Sequence, residues 1–479
     1  MSKLYLAIDQ GGHASRAIVF DRQGNIIAQA ERAIRTLTPH TDWVEHDPEE
    51  MVKSVEEAIH AALEQLGDRK QQLVSAGMAT QRSSIVCWDK NSGAALSPII
   101  SWQDRRQHQW LKQFVAHNTA IHHKTGLFLS PHYGASKLRW CLDNIDSVAA
   151  AFQKDRLCTG SLASFLAFRL LHEKPFCIDP ANASRTLLWN LHHNNWDDEL
   201  CQLFGVPQQI LPRCTRSHET FGHLVIDDLT LPLIIITGDQ PAALFAWGKP
   251  KDSTYINIGT GAFIQRPVTA PQQSENLLSG IAYLDDELRC YTLEGTVNGA
   301  ARALQWFAQE QGTDDLEQRL PEWLKSGDKP ALFINGISGL GSPYWVANMP
   351  SRFISSDKTE PSIKQQALAI VESIVFLITR NLEEMEISLP AATELRVSGG
   401  LANLDGLCQR LADLSGKTII RPATTEATAR GLAFLVANRP TCWHVAEHEA
   451  RFIPEKNPAL QQRYQRWQAL LRQEVARLP

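Results

Sequence analysis

Each half of this 479-residue chain opens with a short apolar segment that ends in a glycine-bearing turn and is followed by a second apolar segment. The first unit is Leu4–Asp9, the turn Gln10-Gly11-Gly12-His13-Ala14, and Arg16–Asp21. The second is Tyr255–Ile258, the turn Gly259-Thr260-Gly261, and Ala262–Gln265. Apolar runs of this length bounded by glycine read as buried strands. The same strand–turn–strand unit, repeated one domain length later, points to an internal duplication. The chain also exceeds the size that one hydrophobic core usually holds. The expectation is an α/β protein of two domains, 1–247 and 248–440, followed by a helical tail over 441–479. The break falls near Trp247–Asp252, where Gly248-Lys249-Pro250-Lys251 interrupts any regular element.

Between these landmarks strands and helices alternate. Ile26–Arg32, Leu73–Met78 and Ser84–Trp88 read as strands. Asp47-Pro48 opens a helix, with Asp at the N-cap, Pro at the first helical position and Glu49 and Glu50 in the first turn. Met51, Val55, Ala58, Ile59 and Leu66 share one face of it. From Pro458 to Pro479 the Gln/Arg-rich pattern predicts an amphipathic helix docked on the surface.

Composition removes several classes of function. Hydrophobic residues are 43% and charged residues 21%, which excludes disorder for the bulk of the chain. The formal charge is −5 and no Lys/Arg block occurs, so neither nucleic acid nor an anionic membrane surface is an expected partner. The best apolar run, Leu231–Thr237, has the length of a buried strand. Leu4–Ile8 is too short for a signal-peptide core. Nine cysteines contain no C-x-x-C pair, as in a reduced cytoplasmic protein without a zinc ribbon.

Four turns can carry chemistry. At Asp9-Gln10-Gly11-Gly12 the glycines let backbone N–H groups approach phosphate oxygens, and Asp9 at a strand end suits a hydrated Mg²⁺. A plain hairpin turn is the other reading. Gly259-Thr260-Gly261 has the same character, and together the two loops suggest a cleft with a phosphate clamp on each wall. Asp239, in Gly238-Asp239-Gln240-Pro241, reads equally as a general base or as the N-cap of a helix starting at Pro241. Gly399-Gly400 is either a surface for a flat base or a strand-to-helix turn. Two other patterns are rejected. Gly416-Lys417-Thr418 lacks the first glycine of a phosphate-binding loop and precedes a strand. His444-Val445-Ala446-Glu447-His448 matches a zinc-peptidase motif but has no third ligand in view.

Taken in order along the chain, the motifs resemble the FGGY family of carbohydrate kinases over about residues 4–440. They are Ala7-Ile8-Asp9-Gln10-Gly11 with Ser15-Arg16, Trp43 to Pro48, Gln81-Arg82, Trp102 to Arg106, Asn182 to Thr186, Gly238-Asp239-Gln240, Gly259-Thr260-Gly261, Gly339 to Trp345, and Gly399-Gly400 with Asn403. The resemblance implies two actin-like, ribonuclease-H-type domains around a cleft that takes ATP, Mg²⁺ and a sugar or polyol. It implies Asp239 as catalytic base and Asp9 as the residue serving Mg²⁺. It places Gln81, Arg82, Ser83, Trp102, His132, Asp239, Gln240 and Phe263 at the substrate, and Gly11, Gly12, His13, Arg16, Gly259, Thr260, Gln305, Gly400 and Asn403 at the nucleotide. A homo-oligomer is compatible with it.

The departures are as informative as the matches. Ser83 stands where glycerol kinases carry Glu, and His132 where they carry Tyr unless Tyr133 takes that place; the acceptor implied is a small sugar or polyol, glycerol kinase-like or pentulose kinase-like, and the smaller Ser83 leaves room for a longer polyol or a ketopentose. Gly12-His13-Ala14 replaces a hydroxyl-rich run, and His13 is a candidate replacement donor. A chain that kept this fold as a non-catalytic sugar- or nucleotide-responsive regulator is the alternative.

Overall fold

The computed structural model describes residues 3–478 apart from 314, 327–328, 355–359, 423–425 and 444–448. The His444–His448 motif therefore lies outside the described residues. Two large sheets dominate. The first contains β1 (Leu4–Gln10), β2 (Ala14–Asp21), β3 (Ile26–Ala33), β4 (Leu73–Thr80), β5 (His218–Ile226) and β6 (Leu229–Gly238), in the order β5-β6-β4-β1-β2-β3. The second contains β7 (Ser253–Ile258), β8 (Ala262–Val268), β9 (Leu278–Leu284), β10 (Arg289–Val297), β11 (Glu394–Ser398), β12 (Thr418–Arg421) and β13 (Ala450–Phe452), in the order β9-β10-β8-β7-β11-β12-β13.

The two sheets share one plan. In each, the opening strand pairs antiparallel with the strand after the glycine turn and parallel with a later strand on its other side. Thus β1, β4 and β6 run parallel, as do β7, β11 and β12. The shared pairing repeats the strand–turn–strand unit read from the sequence.

Local signals explain the elements around the first sheet. The helix Pro48–Leu66 starts where Asp47 Oδ1 accepts the backbone N–H groups of Glu49 at 2.8 Å and Glu50 at 3.0 Å. It buries Met51, Val55, Ala58, Ile59 and Leu66, the face read from the spacing.

The C-terminal region departs from a surface tail. Beyond residue 440 the chain adds β13 to the edge of the second sheet. The helix Pro458–Ala476 then buries Leu460, Tyr464, Trp467 and Leu471 in the core of the second unit. Trp467 is fully buried, and its indole N–H donates to the Phe333 carbonyl at 3.0 Å. The narrow stripe of four large side chains is enough to seat the helix, although most of its other residues are polar.

The halves meet through the helix Ala427–Val436. It packs on β1 and β4, with Leu432 and Val436 over Gly77 and Gly431 against Ala242. All nine cysteines are unpaired thiols. Among the described residues no helix is long and apolar enough to cross a membrane.

Gly431 is a place where only a hydrogen fits. A Cβ there would stand 1.8 Å from the Ala242 carbonyl oxygen, which is backbone and cannot swing aside. Gly431→Ala gains about 1 kcal/mol of helix propensity and loses about 3 kcal/mol to overpacking. The expected net loss of about 2 kcal/mol is read from the urea midpoint; an unchanged or higher midpoint contradicts this packing.

Candidate active site

The carboxyl ends of the parallel strands build the site. Ala79 on β4 is level with Asp9 on β1 and with Thr237 on β6, so the three strands end together. The chain leaves β1 at Gln10, β4 just before Gln81-Arg82-Ser83, and β6 just before Asp239. In the second sheet Asn257 is level with Ser398, and β7 and β11 lead into Gly259-Thr260 and Gly399-Gly400. Crevices outside strand carboxyl ends are where open α/β sheets bind ligands.

Two carboxylates meet at the first edge. Asp9 is 5% exposed, and burial pushes its carboxyl up to about 7, with further upward pressure from the Asp239 charge. Arg16 opposes this from 4.0 Å. Arg16 is itself shared, since its Nε donates to Glu31 at 2.5 Å and lies 4.0 Å from Glu426. Burial also raises the Asp239 carboxyl, while Arg82 pulls it the other way. The N-cap reading of Asp239 does not hold. The helix runs Asp239–Ala243 with Gly238 at the cap, and Asp239 Oδ1 accepts the N–H of Gln240 at 2.7 Å. A carboxylate raised by its surroundings and left uncommitted to a helix end is suited to proton transfer near neutral pH.

Arg82 connects this edge to the substrate wall. Its Nη2 donates to Gln240 Oε1 at 2.9 Å, and its stem crosses Gly238, where a Cβ would stand 2.5 Å from Cγ and Cδ. Trp102, His132 and Tyr133 form an edge-to-face run, with ring centroids 5.5 and 5.0 Å apart. Burial holds the His132 imidazole neutral, and the nearby cations Lys137, Arg185, Arg82 and Arg105 act in the same direction. Ser83 is buried with φ +66°. Its carbonyl and that of His132 both accept from Lys137 Nζ, at 2.9 and 2.7 Å. One buried amine thus ties the Ser83 and His132 backbones together. Burial lowers that ammonium to about 7.

Gln81 is hydrogen-bonded to the first loop. Its amide nitrogen reaches Gln10 Oε1 at 3.3 Å and the Gly11 carbonyl at 3.4 Å, and its oxygen accepts from Ser84 at 3.0 Å. It supports the first loop from below. Phe263 lies on β8, partly exposed.

The residues expected at the nucleotide present mainly backbone. Gly11 N–H donates to the Ala14 carbonyl at 2.9 Å, Gly12 has open space where a side chain would be, and His13 is exposed. The Gly259 and Thr260 carbonyls accept from Ala300, Ala301 and Arg302, so this turn caps the helix Ala301–Gln311. Thr260 is exposed. One turn along that helix, Gln305 lines a cleft of about 350 Å³ with Arg302, Trp306, Gln309, Ile337 and Ser338. Gly399 has φ +92°, and a Cβ there would stand 2.6 Å from the Ile258 carbonyl oxygen, so glycine is required. Gly400 faces open space and Asn403 is exposed. A larger cavity of about 510 Å³, lined by Trp247, Phe434 and Trp443, contains none of these residues.

Three charged residues at the site were given no role from sequence: Lys137, Arg185 and Glu294. Glu294 carried a signal, because a lone carboxylate in the apolar run Tyr291 to Val297 has no place in a buried strand without a partner.

The N-terminal model of the FGGY family of carbohydrate kinases matches residues 4–246, and its C-terminal model matches residues 254–438. Fold and matches together define a phosphotransferase that uses ATP and an alcohol acceptor on a sugar or polyol. The chain belongs to the FGGY family of carbohydrate kinases. It is 33% identical to the glycerol kinase of Brucella ovis over 92% of this chain and 91% of that protein. It is 32% identical to glycerol kinase 1 of Pseudomonas aeruginosa over 98% and 99%. The solved glycerol kinase of Plasmodium falciparum with ADP superposes with a TM-score of 0.89, at 21% identity, over 100% of this chain and 99% of that one. The xylulose kinase of Rhodospirillum rubrum gives 0.87 at 16% identity, over 99% and 100%. The actin-like two-domain fold expected from the sequence is therefore the one observed.

The Asp9 environment has a measurable consequence. Its carboxyl is raised from 3.8 to about 7, so the fold favours the protonated form and is penalised when Asp9 ionises. The penalty grows as pH rises through about 4 to 7 and is complete above that. Asp9→Asn is expected to melt higher than the parent at pH 8, with the gap closing toward pH 4. A lower melting temperature at pH 8 contradicts this reading.

Proposed function

We propose that this kinase phosphorylates a terminal hydroxyl of a polyol longer than glycerol, or of a ketopentose, with Asp239 as general base and Mg·ATP as donor. The observation that carries the reading is the Asp239 carboxylate, raised by burial at the end of β6, beside an arginine held by its neighbour Gln240. In the reaction, the acceptor oxygen attacks the γ-phosphorus, the bond to the β-phosphate oxygen breaks, and the hydroxyl proton passes to Asp239. Arg82 orients the acceptor oxygens. Backbone N–H groups at Gly12 and Thr260 face the phosphates from the two walls.

The residues fit Mg²⁺. The Asp239 charge adds to the cost of ionising Asp9, and a divalent cation beside Asp9 offsets that charge. One or two carboxylates with waters suit Mg²⁺, and among the described residues no group of three or more His, Cys, Asp or Glu forms a protein cage. When bound, the ion neutralises charge on the phosphate oxygens.

The substrate assignment rests on Ser83 and His132. Ser83 is small and buried, His132 is neutral, and neither offers a carboxylate to the acceptor. Room and lost charge at one wall favour a longer acceptor over glycerol.

Asp239→Asn is expected to lower kcat by about 100-fold or more, with the acceptor KM within about threefold. Equal turnover by parent and variant removes the base assignment. Ser83→Glu is expected to shift the kcat/KM ratio toward glycerol and away from pentuloses. An unchanged ratio shows that Ser83 does not read the acceptor.

A further inference from the structure

We propose that Glu294, on β10 of the second domain, is the positioning residue for Arg82 across the domain boundary, so that the nucleotide-side domain sets the geometry of the acceptor wall. This rests on the reading of Arg82 as an acceptor-binding residue. Glu294 is 3% exposed and is the shared counter-charge of two arginines from the first domain. Arg185 Nη2 donates directly to Oε2, and Arg82 Nη1 faces Oε1 at 3.9 Å. Thr292 Oγ1 and Gln265 Nε2 hold Oε1 from the Glu294 side, at 2.6 and 3.4 Å.

The surroundings are shaped for this contact. A Cβ at Gly280 would stand 2.7 Å from Glu294 Oε1, so a glycine makes room for the carboxylate. Gly238 makes room for the Arg82 stem in the same way. The result is a continuous path from β10 through Glu294 and Arg82 to Gln240, the residue next to Asp239. The Arg82 contact is the loose link in it. Arg82 Nη1 is buried and makes no hydrogen bond among the described residues, and 3.9 Å is an ion pair short of one. A shift of about 1 Å between the domains completes the bond, which ties Arg82's placement to domain closure.

The alternative is that Glu294 only neutralises two buried guanidinium groups and stabilises the junction. Kinetics separate the two. Glu294→Gln keeps the side chain's shape and removes its charge. The positioning role predicts a rise of about tenfold or more in the acceptor KM, with the ATP KM within about twofold, and partial recovery in Glu294→Asp. An acceptor KM within about twofold of the parent overturns the proposal. A parallel rise in both KM values, accompanied by a lower unfolding midpoint, also overturns it, because that is the signature of a structural role. If Glu294→Gln does not fold, the same split measured in Glu294→Asp decides. The parent enzyme tests the underlying reading separately: a parent silent toward every acceptor removes the kinase assignment and the positioning role together, whereas an active parent with unsplit KM values removes only the latter.

Discussion

Two buried carboxylates at the ends of parallel strands carry a desolvation cost, and the charges around them offset it in part. Asp9 and Asp239 are delivered to one edge because β1, β4 and β6 are parallel and end level. Burial raises both carboxyl groups. Arg16 answers Asp9 from one side and Arg82 answers Asp239 from the other, and each arginine is shared with further carboxylates. Such a site is eased by positive charge beside Asp9 or by a proton delivered to Asp239. In the proposed reaction, phosphoryl transfer to a hydroxyl supplies both.

The duplication explains how one chain supplies two walls of different character. The same strand plan places Asp9, Arg82 and Asp239 on one side and Gly259, Gly399 and Gly400 on the other. The first wall is rich in charge. The second offers close backbone, with Gly399 pressed against β7 so tightly that only a hydrogen fits. The helix Ala427–Val436 crosses the junction and packs on the first sheet, so the second domain reaches directly under the strands that carry the carboxylates.

Much of this was legible in the residues. β1 and β7 announce themselves by apolar runs stopped by glycines, and the helix at Pro48 by its Asp-Pro cap, because those signals are local. Asp239 was visible as a candidate but undecided, since a strand-end Asp before Gln-Pro serves a helix cap as readily as a reaction. The structure puts Gly238 at the cap, which removes the cap reading. Residues whose meaning depends on distant partners were not legible. Gln81 looks like a binding residue, yet its partners Gln10 and Gly11 lie some seventy positions away. Glu294 acquires its role from Arg82 and Arg185, which no periodicity connects to it. The tail helix was recognised as amphipathic, but the depth at which Trp467 sits beneath Phe333 follows from tertiary packing.

The proposed acceptor of the phosphoryl group is longer than glycerol. This is tested most directly by coupled ADP release with Mg·ATP across glycerol, dihydroxyacetone, erythritol, ribitol, xylitol, and the D and L forms of ribulose and xylulose. The account predicts turnover that depends on the acceptor and is greatest with one of the four- or five-carbon compounds. Glycerol as the best acceptor, or no release with any compound from folded protein, contradicts it.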